Sequence, residues 1–215
     1  MTRSTYFAHP FHGTLRPGRT SQLPIVEATF VFADVVGSTA LSGRLGERGA
    51  YSVIRRFCSL VRDLCERSGG EALELRGDGA LLAFPGSPCA ALEAACELQR
   101  ACAREGEIEV RIGIHGGTAL RLERGYFGRA LTLAARLSDA AEPGEILVSD
   151  SVLRNAGVTS RPARGATLGA ARVLHMKGFD EPVQAHPLEW HPLATAAWRR
   201  FVMLPVSNRH TASIS

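Results

Sequence analysis

The chain has 215 residues, 45% hydrophobic and 21% charged, which suits one globular domain with short tails. Its pI near 9.0 comes from its ends. Arg3, Arg16 and Arg19 before Glu27, and Arg199, Arg200 and Arg209 after Trp190, stand without an acid against a formal net charge of +4, so the body is acidic by two. That excludes a basic nucleic-acid face, and no apolar run approaches the ~18 residues of a membrane span.

The N-terminus lacks a signal-peptide apolar run, so a cytoplasmic protein is expected. Five cysteines (Cys58, Cys65, Cys89, Cys96, Cys102) are odd in number and form no C-x-x-C pair. They fall at apolar positions of helix-like segments and are expected as buried thiols, without a metal or disulfide role.

Residues 1–24, with Pro10, Pro17 and Pro24, read as an irregular arm. Ala28 to Val36 is an apolar, β-branched strand, and Gly37-Ser38-Thr39 reads as its exit into a helix. A helix is expected from about Arg48 to Ser68, where Val53, Ile54, Phe57, Leu60, Val61 and Leu64 recur at helical spacing, with Gly69-Gly70 ending it. Leu73 to Arg76 is a short strand, Gly77-Asp78-Gly79 its turn and Ala80 to Phe84 the returning strand. Ser87 to Arg104 is a second amphipathic helix. Glu109 to His115 alternates as a strand, with Val110, Ile112 and Ile114 on one face and Arg111 and His115 on or near the other. Gly128 to Ala141 is a third helix, stopped by Pro143-Gly144, and Ile146 to Ser149 is a buried strand. Ala171 to Met176 and Val183 to Trp190 pattern as a late hairpin. Trp198 to Leu204, within the tail 191–215, reads as a frayed terminus. The expected architecture is an α+β, ferredoxin-like βαββαβ core with extra C-terminal strands, occupying residues 25–190.

Two aspartates carry the chemistry. Asp34, in Phe32-Ala33-Asp34-Val35-Val36-Gly37-Ser38-Thr39, and Asp78, in Arg76-Gly77-Asp78-Gly79, each stand where a strand gives way to a turn. Two carboxylates on neighbouring strand ends can hold Mg²⁺ or Mn²⁺, ions that take oxygen ligands and complete their shell with substrate phosphates. Backbone N–H groups of Gly37, Ser38 and Thr39, opening a helix, face such phosphates.

Together and in this order, the motifs resemble the class III nucleotidyl cyclase family, the adenylate and guanylate cyclase catalytic domains. Gly125-Tyr126-Phe127-Gly128-Arg129-Ala130-Leu131-Thr132-Leu133-Ala134-Ala135-Arg136-Leu137 is similar to that family's glycine-to-arginine helix. Glu142-Pro143-Gly144-Glu145-Ile146-Leu147-Val148-Ser149 and Met176-Lys177-Gly178-Phe179 are similar to its closing segments. The resemblance implies conversion of a nucleoside triphosphate to a 3′,5′-cyclic nucleotide and pyrophosphate, with two divalent cations held by Asp34, Val35 and Asp78. It implies that Arg136 meets charge on the α-phosphate and that the family's ribose-orienting asparagine is replaced by Thr132. It also implies a homodimer with shared sites, in which one protomer supplies the metal aspartates and the other the arginine and base readers.

Base choice departs from the purine enzymes. Adenylate cyclases usually place a lysine where Glu74 stands and an aspartate where Gly125 stands; Lys177, the only lysine of the chain, lies in a different motif. Ionised Glu74 accepts hydrogen bonds, which repels adenine N1 and suits a uracil N3–H, a cytosine amino group or a guanine edge. Arg76, two residues on, can donate to a pyrimidine carbonyl. This pattern resembles the bacterial pyrimidine cyclases of the Pycsar anti-phage system, implying cUMP or cCMP read by a separate effector, with UTP or CTP favoured and GTP next. Guanylate or adenylate cyclase activity, and a degenerate non-catalytic nucleotide-binding module, stay open as alternatives.

Overall fold

The computed structural model describes residues 23–157 and 162–190. The arm 1–22, most of the expected N-terminal segment, and the tail 191–215 with Trp198 to Leu204 lie outside the described residues. The elements run β1 (Ile25–Val35), α1 (Ser38–Arg67), β2 (Glu71–Arg76), β3 (Gly79–Pro85), α2 (Pro88–Glu105), β4 (Val110–Arg121), β5 (Tyr126–Phe127), α3 (Arg129–Ala140), β6 (Ile146–Ser149), α4 (Asp150–Asn155), β7 (Ala166–Leu168), β8 (Arg172–Leu174) and β9 (Val183–Trp190). The sheet order β2-β3-β1-β4, continued by β6, β9 and β7, contains the expected ferredoxin-like core.

Alternation along β1 builds both faces of the sheet. Val31, Ala33 and Val35 enter the cluster under α1 and α2, where Phe57, Val61, Leu92 and Cys96 pack. Phe30 and Phe32 enter the cluster under α3, with Leu81, Ala83 and Tyr126. Asp34, next in alternation after Phe32, therefore belongs to the α3 face.

The position of α3 depends on Gly113 in β4. A Cβ there would stand 2.1 Å from the Ala134 carbonyl oxygen and 2.2 Å from the Ser138 nitrogen. Only a glycine lets the helix backbone lie this close to the strand. The Ser138 hydroxyl adds a bond to the Arg111 carbonyl at 3.2 Å.

Several elements differ from the sequence reading. α1 starts at Ser38, ten residues before the expected Arg48, and bends at Gly46 (φ 68°, ψ 168°). Gly43, Gly46 and Gly49 dilute the apolar pattern there, and only Leu41, Ala50 and Val53 form a small cluster of their own. β4 runs to Arg121, past the expected His115, because its interior glycines hide the alternation. β5, α4 and β7 were not expected; each is too short to show a period. Cys65, Cys96 and Cys102 are buried as expected, but Cys89 is exposed and Cys58 only half-buried. Burial pushes the Cys96 and Cys102 thiols up to about 12, which leaves them unreactive.

Candidate active site

The two aspartates meet through backbone register. Asp34, near the end of β1, lies opposite Gly79, and the Val35 N–H donates to the Asp78 carbonyl at 2.9 Å. The β2–β3 turn is thus hydrogen-bonded to the end of β1, which brings the two strand ends side by side. Gly37 follows at φ 64° as the residue preceding α1, and its carbonyl accepts from the Ala40 and Leu41 N–H groups. The Ser38 and Thr39 N–H groups, in the first turn, precede the intrahelical ladder. The Ser38 hydroxyl donates to the Asp78 carboxylate.

A residue the sequence reading placed only by alternation completes this corner. Arg111 on β4 lies directly opposite Asp34. Its Nη2 stands 2.5 Å from Asp34 Oδ2, with the two side chains 28% and 13% exposed. The Arg111 Nε is buried and has no hydrogen-bond partner. Alternation put Arg111 on or near the face opposite Val110, Ile112 and Ile114; what it could not show was the cross-strand register that sets the guanidinium against Asp34.

On α3, Thr132 is half-buried and Arg136 lies one turn later. Arg136 pairs with Asp139 at 3.1 Å, and its Nε too is buried without a partner. Among the described residues Arg136 makes no hydrogen bond or ion pair with Asp34 or Asp78.

Glu74 sits half-buried on β2 opposite Leu81, a register that assigns it to the α3 face. The strand bulges between Ala72 and Glu74. β2 ends at Arg76, opposite Gly79. Gly125 has φ +89° and its carbonyl accepts from the Leu122 N–H at 3.0 Å. It is the turn residue between β4 and β5, in a backbone conformation that side-chain-bearing residues rarely adopt. The hairpin beyond it is clamped to β2: Glu71 accepts from Arg121 at 2.6 Å and from the Tyr126 hydroxyl at 3.0 Å, and Arg121 lies 4.4 Å over the Tyr126 ring. Lys177 is exposed in the β8–β9 connection, whose Phe179 stacks on Arg129 at the start of α3. Among the described residues no hydrogen bond or ion pair joins Lys177 to Asp34 or Asp78.

On the same face of β4 as Arg111 and Gly113, His115 is half-buried, with Nδ1 2.8 Å from the Ser149 hydroxyl, and burial lowers its pKa to about 4. It stays neutral at physiological pH and belongs to the framework.

Hard divalent cations fit the aspartate corner by the chemistry of its donors. Two carboxylates and a hydroxyl offer only oxygen, and an arginine already balances charge there. Among the described residues no cluster of three or more His, Cys, Asp or Glu side chains forms a dedicated cage.

The model of the adenylate and guanylate cyclase catalytic domain matches residues 22–163. The chain belongs to this family. A protein of unassigned activity from Mycobacterium tuberculosis is 36% identical over 167 residues, covering 77% of this chain and 42% of its own length. An adenylate cyclase of Glutamicibacter nicotianae is 29% identical over 160 residues, 74% of this chain and 38% of its own. The chain therefore spans about two fifths of the length of these two relatives. Among solved structures, the guanylyl cyclase Cya2 superposes with a TM-score of 0.69 at 22% identity, covering 77% of this chain and 93% of the other. The adenylyl cyclase CyaB from P. aeruginosa superposes with a TM-score of 0.69 at 21% identity, covering 80% and 98%. These two share the fold. No helix among the described residues is long and apolar enough to cross a membrane.

Proposed function

We propose that the protein is a metal-dependent nucleotide cyclase, active as a homodimer with shared sites, and that it prefers a pyrimidine triphosphate. The observation that carries the cyclase reading is the convergence of Asp34, Asp78, Ser38 and Arg111 at one end of the sheet in a chain of this family. In the reaction the ribose 3′-oxygen bonds to the α-phosphorus, the bond to the β-phosphate breaks, and pyrophosphate leaves as the 3′-hydroxyl proton is released to solvent. Bound divalent cations supply charge neutralisation and make the 3′-hydroxyl more acidic.

The protein's part is positioning and charge. Asp34, the Val35 carbonyl and Asp78 hold the cations. Ser38 fixes the Asp78 carboxylate, and the Gly37-Ser38-Thr39 N–H groups and Arg111 face the phosphates. Arg136 of the second protomer meets the α-phosphate, and Thr132 orients the ribose with its single hydroxyl. Lys177, in the segment similar to the family's closing motif, is the remaining candidate for a substrate contact.

Glu74 supports a pyrimidine. Its carboxylate accepts from a uracil N3–H or a cytosine amino group, Arg76 is the candidate donor to a ring carbonyl, and Gly125 offers no second reader. A cyclic pyrimidine product is the ground for an anti-phage role with a separate effector. Purine cyclization is the second reading, favoured by the adenylate cyclases among the relatives. Purified protein given equimolar UTP, CTP, GTP and ATP with Mn²⁺ tests all of this by product mass. A cyclic pyrimidine nucleotide should dominate. Predominant cGMP or cAMP refutes the base assignment, and no cyclic product refutes the cyclase.

A further inference from the structure

We propose that Arg111 is the resident counter-ion of Asp34, and that a nucleotide triphosphate must draw it away before a divalent cation binds there well. This inference rests on the reading of Asp34 as a cation ligand and deepens it, since it gives the site an order of assembly.

Four observations support it. Arg111 and Asp34 are register partners on adjacent strands, so the pair is set by the sheet itself. The contact is close, at 2.5 Å, and both side chains are largely shielded, at 28% and 13% exposed, so solvent screens it less than a surface pair. The Arg111 backbone is fixed: its carbonyl accepts from Ser138, the next N–H donates to Glu145, and Gly113 presses β4 against α3. Only the side chain can move. Finally, Arg111 Nε is buried without a hydrogen-bond partner. A guanidinium with an unused N–H can turn from a one-point carboxylate contact to a two-point phosphate contact, which its planar fork suits.

A cation arriving alone must compete with Arg111 for Asp34 and then sit beside a displaced positive charge. A triphosphate gives Arg111 a better partner and removes that conflict. Cation and nucleotide therefore help each other bind by more than direct chelation, and the coupling is reciprocal.

The test separates the two ligands. Arg111→Gln and Arg111→Met keep part of the stem and remove the charge. In nucleotide-free protein both should bind Mn²⁺ at least about tenfold more tightly, read from the electron paramagnetic resonance signal of free Mn²⁺. In EDTA both should bind a fluorescent ribose-labelled triphosphate more weakly. The Mn²⁺ gain should vanish when Asp34→Asn is added. A purely structural role for Arg111 would weaken both ligands or neither, and either result overturns the proposal. The wild-type chain gives a check that needs no neutral variant. The Arg111 Nε–H resonance should move on adding metal-free triphosphate and stay in place with Mg²⁺ alone; an equal shift with Mg²⁺ alone overturns the proposal. A chain that makes no cyclic nucleotide yet shows the opposed affinities would sink the cyclase reading and leave this one standing. An active cyclase without them would do the reverse.

Discussion

Replacing Gly113 by alanine should separate α3 from the sheet that places it. The added Cβ would lie 2.1 Å from the Ala134 oxygen, 2.2 Å from the Ser138 nitrogen and 2.8 Å from the Leu137 carbonyl carbon. All three are helix backbone, so no side-chain rotation relieves them. Ordinary contact starts at 3.4 Å, and α3 has to move off β4 by roughly 1 Å in a close-packed interior. Overpacking of this kind costs about 2–3 kcal/mol, which for a domain of this size lowers the Tm by roughly 5–10 °C. The displaced helix carries Thr132 and Arg136, and a misplacement of ~1 Å in a catalytic group can cost on the order of 10²-fold in rate. Asp34 and Asp78 lie on β1 and the β2–β3 turn, so Mn²⁺ binding should hardly change. The assay pairs a thermal melt with turnover of the preferred triphosphate well below the new Tm. Gly43→Ala, with nothing within 4 Å of its Cβ, is the control and should melt no lower than wild type. An unchanged Tm for Gly113→Ala would refute the packing argument. A lowered Tm with full turnover would refute the claim that α3 sets the rate.

Asp34→Ala and Asp78→Ala should each abolish cyclic nucleotide formation with Mn²⁺. Asp34→Ala should also lose roughly 1–3 kcal/mol of stability by stranding Arg111, read by urea unfolding; near-wild-type turnover in both would end the metal assignment. Asp78→Ala and Arg136→Ala proteins, each inactive, should regain activity when mixed, because one of the two shared sites is then whole. Continued silence after demonstrated subunit exchange would exclude a shared site. His115 makes stability depend on pH. Its folded pKa is lowered from 6.5 to about 4 by burial, so the unfolded chain takes up the proton first. Stability is therefore lost as pH falls from about 6.5 toward 4, on the order of 3 kcal/mol in all. His115→Gln should flatten that part of the urea-unfolding profile, and an identical slope in the variant would remove His115 as its source.

The core was legible where residues carry a strong period. The strand through Val31 and Ala33, the second helix from Ser87 and the strand Ile146 to Ser149 stand within a few residues of their expected bounds. Glycine blurred the rest. Gly43, Gly46 and Gly49 hid the first turns of α1, and Gly113, Gly116 and Gly117 hid the length of β4, yet Gly113 is the residue that seats α3. The two aspartates could be found because Asp34 stands near the end of an apolar strand, three residues before Gly37, and Asp78 sits between Gly77 and Gly79 in a strand-to-strand turn. Arg111 was harder to find, because its role depends on which residue of another strand stands opposite, and register between distant strands is not written in local pattern. The Glu71–Arg121–Tyr126 clamp has the same origin: its residues are 50 or more positions apart for each contact to Glu71.

The base site shows why a missing reader can be more than a missing side chain. The sequence comparison of Gly125 with the aspartate of adenylate cyclases suggests a simple exchange, but Gly125 has φ +89° and closes the turn from Leu122. An L-residue there is strained by on the order of 1–2 kcal/mol, so the turn itself opposes a side-chain reader. Glu74 has no such restraint: it follows the bulge of β2 and pairs opposite Leu81, and no positive φ is found there. Glu74→Lys should therefore erase the preference for pyrimidines while leaving the fold intact. Adding Gly125→Asp should lower the Tm by roughly 2–8 °C without making ATP a good substrate. The measurement is product mass from equimolar triphosphates beside a melt of each variant. Efficient cAMP formation by the double variant at wild-type stability would show that the turn tolerates a reader, and that the backbone at Gly125 has no part in choosing the base.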